Sequence, residues 1–200
     1  MKMNAAEKLV VNSSLRRAVQ RHYETPLLRR LGADVAGAHV LEIGAGSGGG
    51  TQVLLDVLHA RHVVAIDLDP AQVALARRRL GTRQGEVQLA CGDAARLAAA
   101  ANSFDAVVDF GILHHVPDWR QAVAEIARVL RPGGQFVFEE VTAQALDRAS
   151  YRVLFDHPRH DRFTGPQFIA ELERHGLTVG GRFTQRFFGD FVLGVAERHS

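Results

Sequence analysis

The stretch Val40–Thr51, VLEIGAGSGGGT, decides the fold. Val40, Leu41 and Ile43 are apolar and read as the end of a buried strand. Glycines follow at 44, 46, 48, 49 and 50. Val53, Leu54, Val57 and Leu58 then recur at helical spacing. Strand, glycine turn and helix form the entrance to a nucleotide-binding α/β fold. Glycine permits positive φ and lets a ligand approach the backbone where a Cβ would collide. The helix N-terminus adds unpaired N–H groups and a partial positive charge.

Strands and helices alternate on both sides of this turn. HVVAID (62–67) is an apolar strand ending in an acid, and Asp69-Pro70 caps and opens a helix that stops at Gly81. EVQLAC (86–91), FDAVVDF (104–110) and QFVFEEV (135–141) read as three more strands. A short helix is expected near 94–99 and a longer one from Pro117 to Leu130, stopped by Arg131-Pro132-Gly133-Gly134. Thr164 caps a helix reaching His175. LTVGGRF (177–183) and RFFGDFVLGVAE (186–197) read as a closing hairpin. Alternation predicts a parallel doubly wound sheet, and a tight hairpin must be antiparallel. One reversed strand is therefore expected near the end.

Two hundred residues fit a single domain spanning 1–200. Residues 1–34 form a helical N-terminal arm, broken at Pro26 and capped near Asn12-Ser13-Ser14. Residues 143–163 form an irregular insertion beside the acceptor pocket, with Tyr151, Arg152, Phe155 and Arg159 as candidate contributors. The formal net charge is +2. The clusters Arg16-Arg17, Arg29-Arg30 and Arg77-Arg78-Arg79 lie on helical patterns and read as solvated faces, so no nucleic-acid partner is expected. The single cysteine, Cys91, excludes an internal disulfide and reads as a small core residue. No apolar run approaches a membrane span, and MKMNAAEK lacks the apolar core of a signal peptide. A cytoplasmic monomer or homodimer is expected.

The glycine run also satisfies G-x-G-x-x-G, the dinucleotide fingerprint, so an NAD(P)-dependent oxidoreductase is one reading. Glu42 argues otherwise. An acid at the end of the first strand would face a pyrophosphate at a Coulomb cost, but suits a ligand carrying an ammonium and a sulfonium. Asp67 can accept from ribose hydroxyls. Asp93, after Gly92, can accept from an adenine amino group. Together LEIGAGSG (41–48), AIDLDP (65–70), CGDA (91–94) and FDAVVDFGILHHVPDWRQAVAEIARVLRPGG (104–134) resemble the class I S-adenosylmethionine-dependent methyltransferases. The last block is similar to the small-molecule subgroup that includes the ubiquinone and menaquinone biosynthesis methyltransferases.

That resemblance implies a Rossmann-like seven-stranded sheet of order 3-2-1-4-5-7-6 with strand seven antiparallel. It implies S-adenosylmethionine as cofactor and methyl transfer to a small-molecule acceptor. Glu42 and the loop of Gly44, Ala45, Gly46 and Ser47 would hold the methionine end. Asp67 would bind ribose and Leu68 would pack on adenine. Gly92, Asp93 and Ala94 would meet the adenine edge, and Asp109, Phe110 and Gly111 would line the amino-acid moiety. Asp109 departs from the family's usual small or neutral residue, which leaves it either to bind the ligand ammonium or to face a helix dipole. Tyr23 on the arm is expected to close over the cofactor.

The sulfonium already activates the methyl group, so the enzyme's work is alignment and exclusion of water. A base is needed only if the nucleophile must lose a proton. His114, His115 and Glu140 are the candidates, with Glu139 directed to the opposite face from Glu140. The segment DFGI (109–112) lacks the Asn/Asp-Pro-Pro-aromatic pattern used on adenine or glutamine nitrogens, so O-methylation is favoured over N- or C-methylation. No metal is expected; His157, His160 and Asp161 match no compact ligand spacing. A non-catalytic cofactor-binding regulator on the same fold would carry the same ligand motifs.

Overall fold

The computed structural model describes residues 4, 10–83, 85–148 and 161–199. The arm opens with α1 (Ser14–Val19), whose N-cap Ser13 accepts from the Arg16 amide. A π-helical turn follows at Gln20–Glu24, closed by the Thr25 amide donating to the Gln20 carbonyl. Helix α2 (Thr25–Arg30) takes Pro26 in its first turn. The expected break therefore falls before Pro26, because proline is tolerated where its missing N–H has no helical partner. Gly32, at φ 99°, ends the arm.

The core runs β1 (His39–Ile43), α3 (Gly49–Asp56), β2 (His62–Asp67), α4 (Pro70–Leu80), β3 (Val87–Cys91) and β4 (Phe104–Phe110). It continues with α5 (Trp119–Val129), β5 (Leu130–Val141), α6 (Ala143–Leu146), α7 (Gly165–Arg174), β6 (Leu177–Thr178), β7 (Phe183–Arg186) and β8 (Phe191–Arg198). The strand order is β3-β2-β1-β4-β5-β8-β6, with β7 also on β8. β1 to β5 are mutually parallel, and β8 runs antiparallel to β5, β6 and β7. The expected topology stands, with the sixth position filled by two short pieces. Between them Gly180 takes φ 57° and the register slips from Thr178↔Glu197 to Phe183↔Gly194.

Alternate residues of the central strands serve two apolar layers. Leu41, Ile43, Val107, Phe136 and Phe138 pack with α5 and α7 through Trp119, Val123, Ile126, Phe168 and Leu172. Val40, Val63, Ala65, Val108 and Val137 pack with the arm and α3 through Leu28, Val53 and Leu54. Burying such side chains contributes roughly 1.5–3 kcal/mol each. Parity then fixes the strand ends. Asp109 and Glu140 continue the first face; Glu42, Phe110 and Glu139 continue the second.

Three expectations need correction. Residues 94–99 form no helix. Their polar groups are taken by tertiary partners instead: Glu125 accepts from the Leu97 amide, and Arg128 donates to the carbonyls of Leu97 and Ala99. Cys91 is exposed rather than a core residue, since β3 is the edge of the sheet. The segment 187–190 is a turn, not strand: Phe187, Phe188 and Gly189 all adopt positive φ (53°, 61° and 95°). The contributors proposed at 151, 152, 155 and 159, with His157 and His160, lie outside the described residues. Among the described residues, no helix is long and apolar enough to cross a membrane, and no group of three His, Cys, Asp or Glu is arranged to hold a metal ion.

Candidate active site

The parallel strands direct their carboxyl ends to one edge, and the order reverses between β1 and β4, which is where open α/β sheets hold their ligands. The glycine turn lies there. Gly44, Gly46 and Gly48 take φ of 73°, 52° and 83°. A Cβ on Gly44 would strike Ile112, and one on Gly50 would strike the Glu42 carboxylate and the Phe110 ring. Beside Gly46 the cleft is open. Arg79 from α4 donates to the Ser47 carbonyl and hydroxyl (2.8 and 2.7 Å), fixing the outer side of the turn.

Three acids surround this crevice. Glu42 is buried and accepts from the Thr51 hydroxyl on α3. Burial raises its pKa to about 8, with the nearby charges of Asp67 and Asp109 adding to the effect. Asp67 accepts from the Gly46 amide (2.9 Å) and the Asp69 amide (2.8 Å), so it ties the end of β2 to the glycine turn. A ligand cation beside Glu42 would draw its carboxyl into the ionised form, whereas a pyrophosphate would hold it neutral and gain nothing from it. Leu68, 47% exposed, offers an apolar surface at the end of β2, as a flat base requires. At the end of β3, Gly92 packs tightly on Ile66, Ala94 is buried, and exposed Asp93 accepts from the Ala95 amide (3.0 Å). The donor and acceptor set fits an aminoacyl sulfonium nucleoside.

After β4 the chain turns through Gly111 (φ 86°) into a 3-10 turn, Leu113–His115. Two carboxylates hold it. Asp109 Oδ1 accepts from the Ile112 amide (2.9 Å). Glu140 accepts from the amides of Leu113 (2.6 Å), His114 (3.3 Å) and Val141 (3.2 Å), and from His114 Nδ1 (2.7 Å). Asp109 Oδ2 has no N–H or hydroxyl donor. Burial, reinforced by Glu140, pushes the Asp109 carboxyl well above its usual range. A protonated Asp109 donating to Glu140 satisfies both observations. Asp109 thus anchors the turn after β4 through the Ile112 amide.

Burial raises Glu140 to about 7, held there against its hydrogen bonds. Burial lowers His114 to about 4, so its ring is neutral at physiological pH. With Nδ1–H donated to Glu140, Nε2 is the acceptor nitrogen. His115 stacks obliquely on it, ring centroids 4.2 Å apart. Both histidines and Glu140 are buried. A small cleft opens beside His114 and is lined by Leu113, Val116, Trp119, Val141, Leu146, Asp161, Arg162 and Phe163. Leu146, Asp161, Arg162 and Phe163 lie within the expected insertion, 143–163.

On the opposite face Arg16 of α1 reaches across the strand ends. It pairs with Glu24 from the π turn and with Glu139 (3.3 Å). Burial and the Glu139 charge raise Glu24 to about 8. Burial works against the Arg16 charge, but the two carboxylates outweigh it and hold its pKa above the usual value. This clamp was not read from the sequence; nothing in a run of helical arginines marks one as inward-facing. Thr51 was missed likewise, although its place one turn into α3 sets it over the end of β1. Tyr23 stands 46% exposed on the arm, while Arg16 and Arg17 take the inward positions, Arg17 lying against Gly49.

Residues 41–138 match the family model described as a methyltransferase domain. The phthiotriol/phenolphthiotriol dimycocerosates methyltransferase of Mycobacterium tuberculosis is 36% identical over 108 residues, 54% of this chain and 39% of that protein. A fatty-acid O-methyltransferase of Mycolicibacterium smegmatis is 35% identical, again over 54% of this chain and 39% of its own length. The chain thus spans about two fifths of the length of these curated relatives. A S-adenosylmethionine-dependent methyltransferase structure from Aquifex aeolicus superposes with a TM-score of 0.74 at 18% identity, covering 98% of both chains. Residues 41–138 therefore carry a methyltransferase domain on this fold, and the likeness to S-adenosylmethionine-dependent methyltransferases implies S-adenosylmethionine as its cofactor.

Proposed function

We propose that the chain methylates an oxygen of a small, largely apolar acceptor. The observation that carries this is the cleft beside His114: six apolar side chains with Asp161 and Arg162, and a neutral, carboxylate-oriented imidazole in the lining. When bound, S-adenosylmethionine supplies an electrophilic methyl group on a positive sulfonium. Glu42 and the glycine turn hold its methionine end. Asp67, Leu68 and Asp93 take the nucleoside. His114 Nε2 accepts the acceptor's hydroxyl proton, and Glu140 fixes the ring's tautomer and orientation. Asp109 keeps Glu140 in place, while Leu113, Val116 and Phe163 exclude water. His115 is assigned a shaping role. The lipid acceptors named for the two relatives agree with an apolar cleft.

Incubation with methyl-labelled S-adenosylmethionine and a panel of fatty acids, long-chain alcohols, phenols and amines tests this. Label on the oxygen of an apolar member is expected. Label confined to amines would refute the assignment of the atom, and no transfer to any member alongside tight cofactor binding would favour the regulatory reading.

A further inference from the structure

We propose that the carboxyl edge of the sheet docks on an anionic lipid surface, through the outer face of the arm and the hairpin tip. Two apolar features stand at this edge. On the arm, Leu15, Val19 and Tyr23 recur every fourth residue and are all exposed, Leu15 by 72%. At the tip, Phe187 and Phe188 are 62% and 94% exposed.

The tip is held outward. Phenylalanine at positive φ is strained, because its side chain crowds the backbone, and here two occur in succession. The platform beneath is built to keep them so. Gln144 donates to the Phe188 carbonyl and Thr142 to the Gly189 carbonyl, each at 2.7 Å. Arg148 pairs with buried Asp190 (2.9 Å). The two features are continuous. Val141, the last residue of β5, faces Phe191, so the tip lies at the same end of the sheet as Glu139, which Arg16 of the arm clamps. Phe187 packs edge-on against Phe191 at 5.7 Å. Phe191 in turn belongs to the apolar layer that contains Leu28 of α2.

Charge identifies the occupant. From Val10 to Leu31 the only acid is Glu24, which is buried in its pair with Arg16. Arg21, His22, Arg29 and Arg30 are exposed around the stripe. At the tip, half-exposed Arg148 and part-buried Arg186 flank the rings, and exposed Asp147 is paired with Arg162. Apolar side chains beside Arg21, Arg29, Arg30 and Arg186 match an anionic interface. A second copy of the chain would set the arginines of Val10–Leu31 against each other, with no exposed acid in that stretch to neutralise them.

The test is co-sedimentation of the full chain with vesicles of phosphatidylcholine, with and without phosphatidylglycerol. It needs neither acceptor nor cofactor, so it stands apart from the assay for methyl transfer. Binding to the phosphatidylglycerol vesicles, falling with salt, is expected. The double variant Phe187→Ser/Phe188→Ser should weaken it roughly tenfold or more, with an unchanged melting temperature since both rings are exposed. Arg21→Glu/Arg30→Glu should do the same by charge alone. Absence of binding by the natural sequence, or binding that both variants leave intact, would overturn the proposal. So would self-association in solution that the phenylalanine variant abolishes, for the face would then belong to a second copy.

Discussion

At the scale of single residues, Glu42 carries the most specific expectation. Its pKa of about 8 reflects burial among other acids. A ligand cation beside it favours the ionised form, so binding releases a proton. Affinity for S-adenosylmethionine should therefore rise from pH 6 to pH 8. Glu42→Gln keeps an acceptor for Thr51 but not the charge; it should weaken binding by about tenfold, one pK unit of coupling, and flatten the pH profile. Titration calorimetry in buffers of different ionisation enthalpy measures both. Glu140 makes a second case. Glu140→Ala would strand the amides of Leu113, His114 and Val141 and the acid of Asp109. The expected loss is about 3–5 kcal/mol, a fall of roughly 10 °C in a thermal melt. His114→Ala should cost much less stability but lower kcat by roughly 10²–10⁴, leaving S-adenosylhomocysteine affinity near that of the parent chain. The acids at the strand ends were legible in sequence, because type and position alone give their chemistry. The pairing of Asp109 with Glu140 was not, since it depends on two strands thirty residues apart coming into register.

Among the elements, the arm is the one held by electrostatics. One guanidinium, Arg16, serves two buried carboxylates, Glu24 and Glu139. The folded pKa of Glu24 lies above its ordinary 4.5, so the docked arm binds a proton that the undocked arm releases. Its contribution is complete below about pH 4.5 and declines as pH rises through about 8. Hydrogen exchange of residues 14–24 should accelerate between pH 7 and 9 while the central strands keep their protection. Arg16→Ala should release the arm at neutral pH, at a cost of order 3 kcal/mol for the unpaired acids. Unchanged protection in that variant would show that Leu28 and its neighbours alone dock the arm. Periodicity foretold a helix here, capped within Asn12-Ser13-Ser14, where Ser13 proves to be the cap, yet not the π turn. Inserting one residue into a helical turn shifts the phase of all that follows, which the apolar spacing of the arm does not record. The short helix expected at 94–99 failed for a related reason, because Arg128 and Glu125 offered its backbone better partners than a single nucleating turn.

For the whole molecule, topology was the most legible property. Alternating apolar strands and capped helices leave few arrangements of a parallel sheet, and the terminal hairpin forces one reversed strand. What the pattern does not encode is the hairpin's turn. RFFGDF reads as strand by composition, and only the positive φ of Phe187 and Phe188 removes it from the sheet. The sheet places a ring of acids around an open glycine turn and an apolar cleft next to a carboxylate-held histidine. Domain and fold together make this a methyl-donor site, and the central claim is the identity of the nucleotide it accepts. Titration calorimetry of the purified chain with S-adenosylhomocysteine and, separately, with NAD tests that claim most directly. The account predicts saturable binding of S-adenosylhomocysteine that Glu42→Gln weakens, and no measurable heat with NAD. Saturable binding of NAD, with none of S-adenosylhomocysteine, would contradict it.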